Sequence, residues 1–240
     1  PLSVEDLTNA KGSVDLAAEY EKTKEKTRTW YLRGFVYKFI YESTDDIAGV
    51  STADAIKTST ESFNKALELG KETDTYVLFA GQEVDQLWSK LLNQGVTAYQ
   101  DGNLDGAIEY FQYTSLVKPS DTTGYLYAAS AASEGKKYQI AVDNYKKLVE
   151  LNPKEETYGV IVSLQKDYMK DIDAAAASIV EAKKVLGEDY AAMNKMEIDI
   201  LIATKKVYVA IEKIEKSISL EQYNSKLYLR QDLLNDQLAS

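Results

Sequence analysis

A spacing of 34 residues between positions of the same class constrains the fold of this chain more than any other feature. Two internal prolines, Pro119 and Pro153, have this spacing, and small and bulky residues repeat with it. A fixed period of this length indicates an array of helix pairs, because each pair buries its apolar face only by stacking on its neighbours. Such arrays commonly present an extended concave surface to a partner. The repeating residues are Ala107, Ala141 and Ala175 in one phase and Phe111, Tyr145 and Ile179 in another.

Each period contains the pattern of two short helices. Apolar residues recur at spacings of 3, 4 and 7, while glycine and proline lie mostly at the junctions. In residues 88–118 the two helices are separated by Asp101-Gly102-Asn103. Gly102 suits the left-handed position after a helix, and Asn103 suits the cap of the next one. The sequence therefore predicts an all-α protein.

The pattern resembles the tetratricopeptide repeat (TPR). In that family the first helix of a pair, helix A, carries a large, a small and an aromatic residue. The second, helix B, carries alanine, an aromatic residue and another small residue before a proline. Trp30, Gly34 and Tyr37 match helix A near the N-terminus, and Phe63 and Ala66 match helix B. The resemblance covers nearly the whole chain and is strongest in the middle.

An insertion separates the two helices of this first complete pair. Gly34 and Phe63 are 29 residues apart, whereas the equivalent residues Gly95 and Phe111 are 16 apart. The additional residues lie near 42–58, and part of them is expected to lengthen helix B.

The resemblance implies an all-α fold, a right-handed superhelical solenoid of about five antiparallel helix pairs plus a terminal helix. Residues 71–82 fit the repeat poorly and are expected to form an irregular linker. The terminal helix, residues 225–238, either caps the array or is the first half of a further repeat. One continuous solenoid domain is expected, made of N-terminal repeats with the insertion (1–83), two well-matched units (84–153), and divergent repeats with the terminal helix (154–240).

The composition argues against several classes of function. The chain has no histidine and no cysteine, so the commonest general base and the commonest metal ligands are missing. A net charge of −10 argues against nucleic acid as the main partner, because that binding depends on lysine and arginine. Residues 101–106 match the first half of a calcium loop, but Gln112 stands where a bidentate glutamate is required. We therefore expect no enzymatic activity, no cofactor and no metal.

The resemblance also implies the position of a binding groove. In the family, helix A residues that are offset from the core positions line the concave surface. The groove carried over in this way mixes aromatic, apolar and hydroxyl side chains. It lacks the lysine, asparagine and arginine set with which some members bind the carboxylate end of a chaperone. The predicted groove residues are Tyr31, Phe35, Lys38, Leu92, Val96, Tyr99, Leu126, Ser130 and Ser133.

The sequence leaves three functions open. The first is a noncatalytic scaffold or adaptor that binds a peptide or helix of another protein in the concave groove. The second is a structural subunit of a bacterial cell-envelope assembly, periplasmic or lipoprotein, that uses the convex face or residues 42–58. The third is a small-ligand sensor or an accessory subunit of an enzyme. The sequence contains no run of 18 or more apolar residues, so it predicts no transmembrane helix. An exported location is slightly favoured over the cytoplasm, and homo-oligomerisation stays open.

Overall fold

The computed structural model describes residues 3–187, 191–220, 230–231 and 234–235. Within these residues all regular structure is helical, with eleven α-helices, one π-helical turn and no strand. The all-α prediction is therefore confirmed. None of the described helices is both long and apolar enough to cross a membrane. The chain separates into two compact units, unit 1 (Pro1–Ala131) and unit 2 (Ala132–Ser240), and the division falls within the sixth helix.

Unit 1 contains five helices and most of a sixth. Five of them begin after a side chain that accepts a backbone N–H of the first turn, and these capping residues are Ser3, Ser51, Asp74, Asn103 and Asp121. Such caps satisfy donors that would otherwise lack a partner within the helix. The helices are α1 (Val4–Glu19), α2 (Thr27–Glu42), α3 (Thr52–Leu69), α4 (Thr75–Gln100), α5 (Leu104–Val117) and α6 (Thr122–Glu134).

α2 and α3 pack as an antiparallel pair around a close approach at Gly34. A Cβ atom on Gly34 would lie 2.6 Å from the ring of Phe63, so the buried ring occupies space that only glycine leaves open. Ser59 Oγ donates a hydrogen bond to the carbonyl oxygen of Gly34 at 2.8 Å. At the other end of the pair, Thr27 at the start of α2 lies beside Gly70 at the end of α3. The pairing of helix A and helix B that the sequence predicted here is confirmed.

The same contact recurs between α4 and α5. A Cβ atom on Gly95 would lie 2.5 Å from the ring of Phe111, which is buried. Lys118, just after α5, places its Nζ 2.7 Å from Oδ1 of Asp85 on α4. These two contacts show that α4 and α5 run antiparallel. Both pairs are TPR-like, and the resemblance is confirmed at the level of the fold.

Residues 71–82 do not form the irregular linker that the sequence predicted. Asp74 accepts the backbone N–H of Tyr76 at 2.8 Å and begins α4, a single helix of 26 residues. The first half of α4 contributes an apolar stripe to the core that contains Phe63; the stripe includes Ala80, Val84 and Leu87. The prediction was wrong because burial of this stripe outweighs the weak helix preference of the aromatic and β-branched residues around it.

The insertion near 42–58 is divided between a loop and α3. Residues 43–51 form the loop, and Ser51 caps the helix that follows. Ile47 in the loop is buried in a core that it shares with residues of α1 and α2. The insertion therefore lengthens helix B, as the sequence predicted, and its loop packs within unit 1.

Unit 2 continues the helix pairs. Ala141 and Ala175 are fully buried, as the 34-residue period predicted. Ala210 and Ile214 are fully buried as well, and Ala210 lies 35 residues after Ala175, so the period continues with an offset of one residue. The predicted terminal helix, 225–238, lies largely outside the described residues. The helices are α7 (Tyr138–Leu151), α8 (Glu155–Ser163) with its π-helical turn (Leu164–Tyr168), α9 (Ile172–Leu186), α10 (Ala191–Ala203) and α11 (Val207–Leu220).

Four turns between a helix A and a helix B share a residue in the left-handed conformation. Gly102, Lys136, Lys170 and Lys205 have φ angles of 75°, 58°, 60° and 59°. In three of these turns the N–H of the next residue bonds back five positions, which is the Schellman arrangement. At Lys170 the bond spans six positions because the π-helical turn adds one residue. The bonds run from Asn103 to Ala98 (2.9 Å), Lys137 to Ala132 (2.8 Å), Asp171 to Gln165 (2.8 Å) and Lys206 to Leu201 (2.8 Å).

Candidate functional site

Five aromatic side chains of α2 and α4 form one partly exposed cluster in unit 1, which we call the aromatic face: Tyr31, Phe35, Phe39, Tyr76 and Phe79. The centroid of Tyr31 lies 5.7 Å from Phe35, 5.5 Å from Tyr76 and 5.9 Å from Phe79. Phe35 and Phe39 meet edge to face at 4.8 Å. These separations are those of favourable ring contacts. Phe79 remains 43% exposed, so the rings hold one another while part of the cluster stays open to solvent.

The aromatic face follows from the way two helices run side by side. A spacing of four residues places Tyr31, Phe35 and Phe39 along one stripe of α2. α4 runs beside α2 in the same direction, because Tyr31 meets Tyr76 near the start of α4 and Lys38 meets Glu83 further along. The first residues of α4, which the sequence predicted to be part of an irregular linker, thus complete the cluster.

Two cations flank the rings. The guanidinium of Arg28 lies 5.9 Å from the centroid of Tyr76, and Nζ of Lys38 lies 5.8 Å from that of Phe35. Both distances are within the range of cation–π attraction. Lys38 also donates hydrogen bonds to the carboxylate of Glu83 and to Gln86. Burial, followed by the nearby charge of Glu83, raises the pKa of Tyr31, so its hydroxyl stays protonated at neutral pH.

Three of the nine predicted groove residues contact one another through their side chains. These are Tyr31, Phe35 and Lys38, all on α2. The remaining six lie on α4 and α6, and their role in binding stays a prediction. Leu92 and Val96 are half-buried on α4, Tyr99 and Leu126 are 41% and 42% exposed, Ser130 is exposed and donates to the carbonyl oxygen of Leu126 at 2.9 Å, and Ser133 is half-buried in unit 2.

A second feature of unit 1 is an open concavity of ≈ 600 Å³ along the C-terminal half of α4. Its lining is rich in side-chain amides and hydroxyls. Tyr41 donates a hydrogen bond to Gln94 at its edge, and burial raises the pKa of Tyr41 to about 12. Asn103, also in the lining, accepts the backbone N–H of Gly106 at 3.0 Å. The calcium-like segment therefore serves to cap α5. Among the described residues, no three acidic side chains converge on a potential metal site.

Sequence reasoning missed three members of the aromatic face, namely Phe39, Tyr76 and Phe79. Phe39 lies four residues after Phe35, and that helical spacing was a usable signal. Tyr76 and Phe79 were hidden by the expected linker. Asp74, a typical helix-capping residue two positions before Tyr76, was the local sign that a helix begins there.

No protein-family model matches the sequence, and no curated protein matches it in sequence. Solved structures of three helical proteins are similar in part. The MamA protein is 15% identical, with 81% of this chain and 94% of that chain covered and a TM-score of 0.45. PilF of Pseudomonas aeruginosa is 17% identical, with coverages of 65% and 71% and a TM-score of 0.44. A tetratricopeptide repeat protein of Parabacteroides merdae is 16% identical, with coverages of 85% and 73% and a TM-score of 0.43.

Proposed function

We propose that this chain is a noncatalytic binding protein whose aromatic face holds a short apolar segment of another protein. The observation that carries this proposal is the group of five touching rings that remains partly open to solvent. Aromatic rings provide a large contact area with few rotatable bonds, which is why they are frequent among the residues that dominate binding energy.

The rings need little ordering when a partner arrives. Tyr31 contacts three other members of the aromatic face, and beneath them it contacts the buried ring of Phe63 at 6.2 Å. Side chains that are already fixed lose less conformational freedom on binding, so more of the contact energy appears as affinity. The aromatic face is therefore preorganised.

The dimensions of the aromatic face fit a helical segment. Eight residues of helix, the distance from Tyr31 to Phe39, correspond to about 12 Å. Two turns of a partner helix have about this length, and apolar anchors at positions i, i+4 and i+7 would meet the rings. Arg28, an exposed cation at one flank, favours an acidic residue beside those anchors, whereas Lys38 at the other flank is already paired with Glu83.

The envelope-subunit hypothesis draws no support from the insertion. In that hypothesis either the convex face or residues 42–58 make the contact with other subunits, and only the second possibility depends on the insertion. The loop of this segment instead contributes Ile47 to the core of unit 1, and α3 contributes Ala55 to the same core. The segment is thus part of the protein's own packing.

The test begins with a library of 12-residue displayed peptides that is selected on the full wild-type chain. The dissociation constants of the selected peptides are then measured by fluorescence anisotropy for three variants of matched thermal stability. Phe79→Glu changes the aromatic face, a Tyr99→Glu and Leu126→Glu double variant changes the rest of the predicted groove, and Leu16→Glu on α1, where the leucine is 71% exposed, is the control.

We expect Phe79→Glu to weaken binding by roughly tenfold or more, the size of effect typical of an interface anchor. Leu16→Glu should bind as the wild type does. Unchanged binding by Phe79→Glu, or an equal loss in the Leu16→Glu control, would contradict the proposal. A loss confined to the double variant would move the binding site to α4 and α6.

A further inference from the structure

Three of the four left-handed turn positions carry lysine, although glycine occupies the same position in the fourth. Lys136, Lys170 and Lys205 all lie in unit 2, and Gly102 lies in unit 1. Glycine adopts positive φ freely, whereas a side chain with a Cβ atom makes this conformation unfavourable. Lysine at these three equivalent positions therefore destabilises the fold relative to glycine. This repetition points to a use for the lysine side chains.

Two of these turns lie against each other. Tyr138 follows the first turn and Tyr168 precedes the second, and their ring centroids are 4.9 Å apart. Tyr168 is 59% exposed. The ring contact brings the turns that carry Lys136 and Lys170 to the same edge of unit 2, beside a partly open tyrosine pair.

The third turn lies at the same end of the helices. Glu197 on α10 pairs with Lys213 on α11, and Ile198 packs with Ala210, so α10 and α11 are antiparallel about the turn at Lys205. α8 and α10 also contact each other, as neighbouring first helices of successive pairs do. The turns that join a helix A to its helix B therefore occupy one edge of unit 2.

We propose that this edge, which we call the lysine–tyrosine edge (Lys136, Tyr138, Tyr168, Lys170 and Lys205), is a second interaction surface that binds an acidic segment of another protein. Its three lysines are exposed, and within the described residues none of them forms an ion pair. Exposed cations of this kind on a chain of net charge −10 form a local site for carboxylates. The open ring of Tyr168 on the same edge offers contact to an apolar side chain of the same segment.

The acidic residues near the edge favour a protein segment over a nucleic acid. Asp167 and Asp171 stand on either side of Lys170 in the chain. A phosphate backbone carries a charge at every nucleotide, so it would meet these carboxylates as well as the lysines. A protein segment alternates carboxylates with apolar residues, and it therefore matches lysines that are separated by tyrosines and aspartates.

The left-handed turns allow a test in which loss of binding is separated from loss of folding. Replacement of the three lysines by glycine, Lys136→Gly, Lys170→Gly and Lys205→Gly together, removes the charges and relieves the unfavourable backbone. We expect this triple variant of the full chain to have a melting temperature equal to or above that of the wild type. A matched triple variant with arginine at the same positions keeps the charge.

The probe is a fluorescein-labelled 15-residue peptide with the repeating sequence Glu-Glu-Leu, measured by anisotropy at low and moderate salt. We expect the glycine triple variant to bind the peptide at least tenfold more weakly, the arginine triple variant to bind it like the wild type, and Tyr168→Ser to bind it several-fold more weakly. The control removes three exposed lysines of unit 1, Lys22→Gln, Lys57→Gln and Lys71→Gln, and it should retain binding.

Four results would overturn the proposal. They are unchanged binding by the glycine triple variant, an equal loss in the unit 1 control, no binding of the peptide by the wild type, and tighter binding of a 15-nucleotide poly-dT strand or of anionic lipid vesicles than of the peptide. This surface is independent of the aromatic face, so Phe79→Glu should leave the affinity for the acidic peptide unchanged.

Discussion

The α2–α3 and α4–α5 pairs of unit 1 make the same contact from different sequence spacings. Gly34 and Phe63 are 29 residues apart with an insertion between them, whereas Gly95 and Phe111 are 16 apart. In both pairs a Cβ atom on the glycine would meet the phenylalanine ring, at 2.6 Å and 2.5 Å. The repeat is thus defined by the contact of a ring with bare backbone, and the connection between the helices is free to change in length.

The two pairs differ in what supports them. α1 packs against the first pair, and Asp15 on α1 accepts hydrogen bonds from Arg33 and Tyr37 of α2. Arg33 in turn donates to Ser62 of α3, so a chain of polar contacts links three helices. The second pair is supported instead by the first half of α4, which packs against α2 and α3. The first pair therefore has a polar network with α1 in addition to apolar packing, and the second pair is joined to the first by an apolar stripe together with polar contacts such as that of Lys38 with Glu83.

The largest expected effect comes from removal of the two rings. Phe63→Ala and Phe111→Ala should each lower the free energy of unfolding by about 3–5 kcal/mol, because each leaves a cavity beside a glycine that cannot fill it. Urea denaturation followed by circular dichroism measures both. Phe79→Ala, on the partly exposed aromatic face, is the control and should cost much less. Losses that differ by more than twofold between Phe63→Ala and Phe111→Ala would break the equivalence of the two contacts.

A smaller effect is expected at the glycines. Gly34→Ala and Gly95→Ala should each cost about 1–3 kcal/mol, because the new methyl group overlaps a ring that is already enclosed. Combining Gly34→Ala with Phe63→Leu should recover part of the loss, and thermal denaturation of the two single variants and the double variant gives the coupling. Additive losses in this cycle would mean that glycine is required for another reason than the ring.

The Ala141→Leu variant tests whether the register of the repeat extends into unit 2. Ala141 is fully buried, so the larger side chain should overpack its site and cost about 1–3 kcal/mol in urea denaturation. Tyr145→Phe, at a half-buried position of the same helix, keeps the ring and serves as the control. A neutral Ala141→Leu variant would limit the comparison to unit 1.

The smallest expected effect concerns pH and the first pair alone. Burial raises the pKa of Asp15, but hydrogen bonds from Tyr37, Lys11 and Arg33 outweigh burial and hold the pKa below its ordinary value. A carboxylate with a lowered pKa in the folded state stabilises the protein above the pKa of the unfolded chain, and this stability is lost as the pH falls through the folded value.

Asp15→Asn should therefore cost about 1 kcal/mol at neutral pH, and the cost should shrink as the pH falls below about 4. Urea denaturation between pH 3 and pH 7 measures this dependence against Glu61→Gln, a change at an exposed position of α3. A loss of stability that is the same at every pH would show that the carboxylate charge of Asp15 makes no contribution.

The sequence was informative wherever the structure depends on local residue size. The sequence alone was enough to place four residues in helix pairs, because the contact requires a small residue opposite a ring and residue size can be read from the sequence. These residues are Gly34, Phe63, Gly95 and Phe111. The first half of α4 could not be predicted as a helix from the sequence, because its helical state depends on burial against α2 and α3.

The turn residues show a second limit of sequence reasoning. The sequence places Gly135 at the junction of two helices, yet the left-handed residue is its neighbour Lys136. The Schellman hydrogen bond from Lys137 to Ala132 requires the left-handed residue at Lys136, and it depends on the exact residue at which the helix ends. The aromatic face was predicted in part for a related reason, since two of its rings lie on the segment whose helical state the sequence did not reveal.

The length of α4 has a consequence for how unit 1 opens. In most helix arrays each pair contacts only its neighbours, and terminal pairs fray independently of the interior. α4, about 39 Å long, contacts α2, α3 and α5, so it belongs to two successive pairs at once. Separation of α2 and α3 would expose the apolar stripe of the first half of α4 to solvent. This would destabilise α4, against which α5 packs. The backbone amides of these four helices are therefore expected to exchange with solvent as one cooperative unit, because α4 joins the two repeats.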